Sequence, residues 1–421
     1  MTNTNTISPS HNAAGNPTAL ADKLDRCVMC GMCSQHCPTY QLTANESESP
    51  RGRISLIAAL LSGRLSVDDR LQAHLEHCTG CRSCEAYCPS EVRFGEIITE
   101  AKALLPHAAK PPKPPTITPI AGRGLRLYQQ SGLQKIVRAS GILNPLGLSE
   151  KESLLPEVPA TPVWKNYYPA VTDTSRGDVA LFTGCVANVF DRAALDASRR
   201  LLNAMGYGVH VPPSQGCCGA IALHGGHPKE AARLAAQNLS AFASLDIQAI
   251  VHTASGCTAQ LSEYTQLLSN EQSESFAAKI KDISHFIAEV SWPTALQPRA
   301  LKKTIALHTP CSLNNVLHQA DAPRQLLEHI PTLKITPLPD TNRCCGGAGQ
   351  YMLDQSEFAQ QLRDKMLDGL DSINKQYEID ILATSNLGCS LHLAAGLRAR
   401  GQQISVKHPI VILAQQLDLV S

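Results

Sequence analysis

The chain has 421 residues, 37 basic and 36 acidic, with 4% aromatic residues and 16 cysteines. The length fits two or three domains, the balanced charge gives no footing for nucleic acid or a strongly anionic partner, and the scarcity of aromatics excludes extensive base-stacking surfaces. No apolar run approaches the roughly 20 residues of a membrane span, so any membrane association is expected to be peripheral or through a partner. Met1 to Pro17 is polar, without the charged start and apolar core of an export signal. Residues 1–19 are read as a disordered tail. Cysteines grouped in ligand-type spacings imply a reducing compartment and a cytoplasmic protein.

Residues 20–105 form the first domain. It carries Cys27-Val-Met-Cys30-Gly-Met-Cys33-Ser-Gln-His-Cys37-Pro38 and Cys78-Thr-Gly-Cys81-Arg-Ser-Cys84-Glu-Ala-Tyr-Cys88-Pro89. Apolar spacing between the runs predicts helices over Ile54–Leu61 and Val67–Glu76, hence a helical rather than β-rich ferredoxin domain. Both runs read C-x-x-C-x-x-C-x-x-x-C-P, in which three thiolates hold one [4Fe–4S] cube and the fourth, before proline, reaches the other. The spacing assigns Cys27, Cys30, Cys33 and Cys88 to one cluster and Cys78, Cys81, Cys84 and Cys37 to the second. The two cubes thereby staple distant segments together. Zinc sites favour paired C-x-x-C units instead, and disulfides favour secreted chains. Arg51, Arg53 and Arg82, near the runs, either raise a cluster's potential or form surface ion pairs, the commoner fate.

Residues 106–176 connect this domain to the rest. Pro106 to Pro119 is proline-rich and reads as a stiff, extended linker. Gly122 to Leu148 places Arg123, Arg126, Lys135 and Arg138 among aliphatic residues. It reads either as an amphipathic helix at a membrane surface or as a helix packed on the next domain with solvated charges. The second reading is preferred, because four basic residues over that length are ordinary. Lys151 to Arg176 is a second connector.

From Gly177 onward the chain repeats itself, in modules 177–300 and 301–421. The first has Phe182-Thr-Gly-Cys185, Gly216-Cys217-Cys218-Gly219 and Ala254-Ser-Gly-Cys257; the second has His308-Thr-Pro-Cys311, Arg343-Cys344-Cys345-Gly346 and Asn386-Leu-Gly-Cys389. Apolar runs at Val179–Phe182, Ala249–Val251, Thr304–Leu307 and Ile379–Leu382 predict buried strands. Ala231–Ala243 and Phe358–Leu370 predict helices. The expectation is a duplicated α/β cysteine-rich module with cysteines just past strand ends, where open α/β sheets place their sites. Two matched sets of four cysteines, Cys185, Cys217, Cys218 and Cys257, then Cys311, Cys344, Cys345 and Cys389, suggest a further iron–sulfur centre or zinc. A purely buried or zinc-stapled core is the alternative.

In these motifs the chain resembles the iron–sulfur subunits of two-component flavin oxidoreductases. That group includes glycolate oxidase, anaerobic glycerol-3-phosphate dehydrogenase and lactate-utilisation proteins, with heterodisulfide reductase a distant relative. The match is nearest to glycolate oxidase iron–sulfur subunits, through Cys37-Pro-Thr-Tyr-Gln-Leu42, Pro50-Arg-Gly-Arg-Ile54, Gly216-Cys-Cys-Gly-Ala220, Thr253-Ala-Ser-Gly-Cys257, Arg343-Cys-Cys-Gly-Gly-Ala-Gly349 and Gly388-Cys-Ser-Leu-His392. The resemblance implies an electron-transfer subunit with no catalytic residue of its own. It also implies FAD-containing partner subunits that oxidise glycolate to glyoxylate, and a quinone acceptor at the cytoplasmic face of the inner membrane. Lactate or glycerol 3-phosphate is the alternative substrate. No G-x-G-x-x-G follows a strand here, which agrees with an organic cofactor held elsewhere. Heterodisulfide-reductase-type modules end in a C-x-x-C pair, but Cys257 is followed by Thr258-Ala259-Gln260 and Cys389 by Ser390-Leu391-His392. A disulfide-reductase-like catalytic role for the repeats is thereby weakened. His392 is a candidate substitute ligand, although a lone histidine after a strand is more often a satisfied polar residue.

Overall fold

The computed structural model describes residues 17–106, 119–143, 145, 148–158, 163–339 and 344–420. The N-terminal domain is built from helices α1 (Pro17–Asp25), α2 (Pro38–Thr43), α3 (Pro50–Leu61), α4 (Asp69–Glu76), α5 (Ser83–Ala86) and α6 (Phe94–Ala103). The first helix begins inside the segment expected to be a tail; residues 1–16 lie outside the described residues. Local chemistry sets the starts of α3 and α4, between the cysteine runs. Ser49 Oγ accepts the Gly52 N–H at 3.0 Å with Pro50 at the first helical position, and Asp68 Oδ1 accepts the Leu71 N–H at 2.8 Å. Leu20, Ile54, Ile57, Leu75 and Ile97 pack one core among α1, α3, α4 and α6, so the loops carrying the cysteines hang on a rigid frame.

The single helix expected over Gly122–Leu148 is broken. It becomes α7 (Pro119–Gln130) and α8 (Leu133–Ser140), because Gly132 and Gly141 turn left-handed at φ 79° and 64°. A short helix α9 (Ser149–Ser153) follows. Arg138 is not a free surface charge: its Nε lies 2.7 Å from Glu152 Oε2, and Gln134 donates to Glu152 Oε1 at 2.8 Å. Arg398, in the second repeat, donates to Ser153 O, so the connector rests on that repeat. The stretch read as an extended linker, 107–118, lies outside the described residues.

Two sheets follow. The first holds β1 (Tyr167–Tyr168), β2 (Asp178–Leu181), β3 (Gly208–His210), β4 (Ile250–His252) and β5 (Ile280–Asp282) in the order β1-β3-β2-β4-β5. The second holds β6 (Thr304–His308), β7 (Lys334–Pro337), β8 (Ile381–Thr384) and β9 (Ser405–Lys407) in the order β7-β6-β8-β9. Apart from β1, which joins antiparallel, all pairings are parallel. The orders β3-β2-β4-β5 and β7-β6-β8-β9 superimpose element for element, which is the duplication in three dimensions.

Alternation along the central strands gives each sheet two faces. Val179, Leu181, Val251, Ile305, Leu307 and Ile381 share one continuous core that joins the two repeats. Ala180, Phe182 and Ile250 point to a separate core under the helix Pro228–Phe242, and Ala306 and Leu382 to its counterpart under the helix Ser356–Tyr377. The cysteine turns lie on these outer faces. Among the described residues no helix is long and apolar enough to cross a membrane.

Candidate metal centres

The two ferredoxin-type runs fold alike. In each, the third and fifth positions are left-handed: Met29 and Gly31 at φ 56° and 80°, Gly80 and Arg82 at φ 67° and 57°. Repeated reversals of this kind curl a loop so that sulfurs and amide N–H groups face inward. Glycine marks only one of the two positions in each run, so the equivalence is hidden in the sequence.

The proline-preceding cysteines cross between runs. Burial raises the Cys33 thiol, and Cys27 and Cys88 push the same way, which sets Cys88 of the second run beside the first. The Val92 N–H donates to Cys88 Sγ at 3.4 Å. Cys30 is exposed. Conversely, Cys37, Cys78, Cys81 and Cys84 together line one cavity, with Pro38, Thr39, Arg53 and Ile98 completing its wall. Burial first, then Cys81, Cys78 and Cys37, drive the Cys84 thiol well above its ordinary value. Four sulfur donors converging on a buried cavity fit a polynuclear metal centre, whose positive charge offsets the repulsion among thiolates.

Arg53 differs from the surface ion pair expected of it. Its side chain is 0% exposed, with Nη2 2.5 Å from Glu48 Oε2 and Nη1 3.9 Å from Cys37 Sγ. Nε donates to His74 O at 2.7 Å and Nη2 to Thr39 Oγ1 at 3.1 Å. The other Glu48 oxygen meets His74 Nδ1 at 2.6 Å and His77 Nδ1 at 2.8 Å. Burial would raise the Glu48 carboxyl, yet these hydrogen bonds and Arg53 hold it below its ordinary value. Arg51 does form a half-exposed pair with Glu46. Arg82 pairs with Glu85 and reaches Glu263 of the first repeat.

In both repeats each of the adjacent cysteines meets a different distant cysteine, although in the first Cys217 and Cys218 also adjoin each other. Cys217 is hydrogen-bonded with Cys185, whereas Cys218 Sγ lies 3.2 Å from Cys257 Sγ. In the second repeat Cys344 joins Cys311 and Cys345 joins Cys389. The following glycines shape both turns alike: Gly219 and Gly346 have φ 87° and 77°, and each donates its N–H at 3.4 Å to the sulfur two residues before it. A Cβ on Gly346 would stand 2.4 Å from Ala359 O, so no other residue fits.

The histidine grouped with the thiols is not the candidate His392. His392 donates Nε2 to Ala359 O at 3.0 Å and keeps a buried, unpaired Nδ1, but it is not among the donors grouped with Cys345 and Cys389. Instead the nearest donor atoms of His308, Cys345 and Cys389, all buried, lie within 4.8 Å of one another. In the first repeat Cys257 adjoins His252: burial opposes charging this ring, but Cys257 holds its pKa above the ordinary value. His308 opens the quoted His308-Thr-Pro-Cys311 motif, and His252 ends the strand before Cys257. Their strand-end positions were the available signal.

The sites are contiguous. Cys81, at the ferredoxin cavity, lies in the field of Cys344, and Cys311 in that of Cys81. Asn315 Nδ2 donates to Cys81 O at 2.8 Å, Tyr351 to His77 O at 3.1 Å, and Phe358 stacks on His77 at 4.2 Å. The repeats meet through Ser255 Oγ and Ser312 Oγ at 2.8 Å.

Fold and sites define a helical two-cluster ferredoxin domain joined to a duplicated cysteine-rich α/β module. Comparison with known proteins agrees. The 4Fe-4S dicluster domain matches residues 23–92, the cysteine-rich domain 179–262 and 305–394, and the linker region of the glycolate oxidase iron-sulfur subunit 115–155. The probable glycolate oxidase iron-sulfur subunit of Bacillus subtilis (strain 168) is 32% identical over 90% of both chains. The glycolate oxidase iron-sulfur subunit of Escherichia coli (strain K12) is 31% identical over 94% of this chain and 95% of its own. Lactate utilization protein A of Geobacillus kaustophilus is 29% identical over 56% of this chain and 98% of its own. A hypothetical protein from Helicobacter pylori shares the fold, with a TM-score of 0.50 and 11% identity over 96% of this chain and 76% of that one. The chain belongs to the glycolate oxidase iron–sulfur subunit family.

Proposed function

We propose that the chain is the electron-carrying subunit of a glycolate-oxidising complex, working between FAD-containing partner subunits and a quinone or other acceptor. The observation that carries this reading is the cavity walled by Cys37 from one run and Cys78, Cys81 and Cys84 from the other. Cys27, Cys30, Cys33 and Cys88 would hold the companion cluster. Bound at these cysteines, [4Fe–4S] clusters supply one-electron transfer, and a two-electron flavin needs such a relay to meet one-electron steps. The chain's own contribution is to bury one site, hold Arg53 against Cys37 and leave the other site at the surface. Around exposed Cys30 stand Val28, Met29 and Met32, all exposed, with Tyr87 stacked on His36 at 3.3 Å. This apolar rim suits docking of the flavin-bearing partner. Glycolate is favoured over lactate because the match to the glycolate-oxidase linker region covers 115–155, whereas the lactate-utilisation relatives align with little more than half of the chain.

The test is anaerobic mixing with the flavin-bearing partner. Glycolate should bleach the iron–sulfur absorption of this chain, lactate should do so far more slowly, and Met32→Glu should slow the bleaching at least tenfold without changing iron content. No bleaching with glycolate in an assembled complex contradicts the proposal.

A further inference from the structure

We infer that His308 and His252 are nitrogen ligands, one per repeat, of an iron–sulfur centre held with the four thiols of the same repeat. Both imidazoles are buried, each residue at 1% exposure, and in both the Nε2 atom has no hydrogen-bond partner. A buried polar atom left unpaired in this way calls for an explanation, and an absent metal is one. The opposite edge of each ring is already held. His252 Nδ1 lies 2.7 Å from Phe182 O. A carbonyl only accepts, so Nδ1 carries a proton and Nε2 is the nitrogen left to face a metal. A backbone carbonyl holding the far nitrogen is the usual setting of a metal-bound histidine. His308 Nδ1 is held by Thr384 Oγ1 at 2.9 Å.

The two rings reach equivalent places by different routes. On the outer faces the first repeat has Phe182 after β2 and His252 on β4, while the second has His308 on β6 and Thr384 on β8. The histidine has changed strands, yet in each repeat it stands beside the last cysteine. Donors sharing one tetrahedral ion with bonds of about 2.0–2.3 Å lie roughly 3.3–3.8 Å apart. The 4.8 Å limit on the His308, Cys345 and Cys389 donors is therefore close to coordinating distance. Four thiols and one imidazole are five donors, one more than a tetrahedral zinc ion accepts, whereas a polynuclear iron centre offers a site on each iron. The proximity of Cys344 to Cys81 of the ferredoxin cavity favours a redox-active centre. The choice of iron rests on the proposed electron-transfer function.

The experiment uses the full chain, reconstituted anaerobically with iron and sulfide, with metal analysis and pulsed paramagnetic resonance for nitrogen coupling. The wild-type protein should hold more than eight irons and show the strong coupling of a directly bonded imidazole nitrogen. His308→Cys should keep the iron and lose about half of that coupling, and His308→Cys/His252→Cys should lose all of it. His308→Gln should lose iron from its repeat while both ferredoxin-type signals persist, which separates ligand loss from unfolding. A plateau at eight irons with zinc in the repeats, or coupling unchanged in the double variant, overturns the inference. Fewer than eight irons in the wild type would instead refute the proposed function.

Discussion

Arg53 shows how much one side chain carries. Its guanidinium meets Glu48 at one edge and faces Cys37 with another nitrogen, within a wall that no solvent reaches. Removing one member of a buried ion pair leaves the other uncompensated, which costs about 3–5 kcal/mol. Arg53→Gln is therefore expected to destabilise the domain by that order in chemical denaturation. It should also lower the reduction potential of the cluster proposed at Cys37, Cys78, Cys81 and Cys84, because a positive charge beside a cluster favours its reduced form. A redox titration followed by paramagnetic resonance checks this. An unchanged potential would place the charge too far from the cluster to matter. At this scale the cysteine runs were legible in the sequence, since their spacing survives without a structure and the family models match them. His308 and His252 were not, because the histidine sits on a different strand in each repeat and leaves no repeated signature. Burial of Arg53 was equally invisible, since its Glu48 partner lies across a turn that hydrophobic patterning does not register.

Strands and caps make up the next scale. Four buried strands were legible from short apolar runs, and they appear shifted by a residue or two. Tyr167–Tyr168 was not legible as a strand, since two residues within a Pro- and Thr-rich connector show no period; pairing with β3 makes them one. The break between α7 and α8 lay in Gly132, whose left-handed turn outweighed an otherwise continuous helical pattern. Strand ends also set local pH behaviour. Asp282 ends β5 and caps the helix Ile283–Glu289 by accepting the Ser284 N–H at 2.8 Å. Burial pushes its carboxyl up to about 6, with the Ser284 hydrogen bonds opposing. The folded value exceeds the unfolded one of about 3.9, so the protonated form stabilises the fold. That contribution, of order 2–3 kcal/mol, is complete below about pH 4 and is lost as pH rises through about 6. Asp282→Asn keeps the cap without the charge, and should flatten the fall in melting temperature between pH 4 and 6. A slope identical to wild type would mean that other groups set it.

On the scale of the whole molecule, the duplication was legible from the order of cysteine motifs. The single core joining the two sheets was not, because apolar strands do not declare which face meets which partner. That shared core, and the seating of Asn315, Tyr351 and Phe358 on the loop around Cys78 and Cys81, turn two cysteine-rich repeats and a ferredoxin domain into one body. The sulfur sites then run from the exposed rim at Cys30, through the cavity at Cys37, to Cys344 and Cys311. The proposed exchange of proline-preceding cysteines between runs is the keystone of this arrangement. The most direct measurement is the iron and acid-labile sulfide content of anaerobically purified wild type, Cys88→Ser and Cys37→Ser, with paramagnetic resonance on the reduced samples. Wild type should hold at least eight irons and eight sulfides and show two interacting cubane signals. Cys88→Ser should perturb the signal of the cluster bound by Cys27, Cys30 and Cys33, and Cys37→Ser that of the cluster beside Arg53. Fewer than eight irons after full reconstitution, or each variant disturbing the cluster of its own run, would contradict the account.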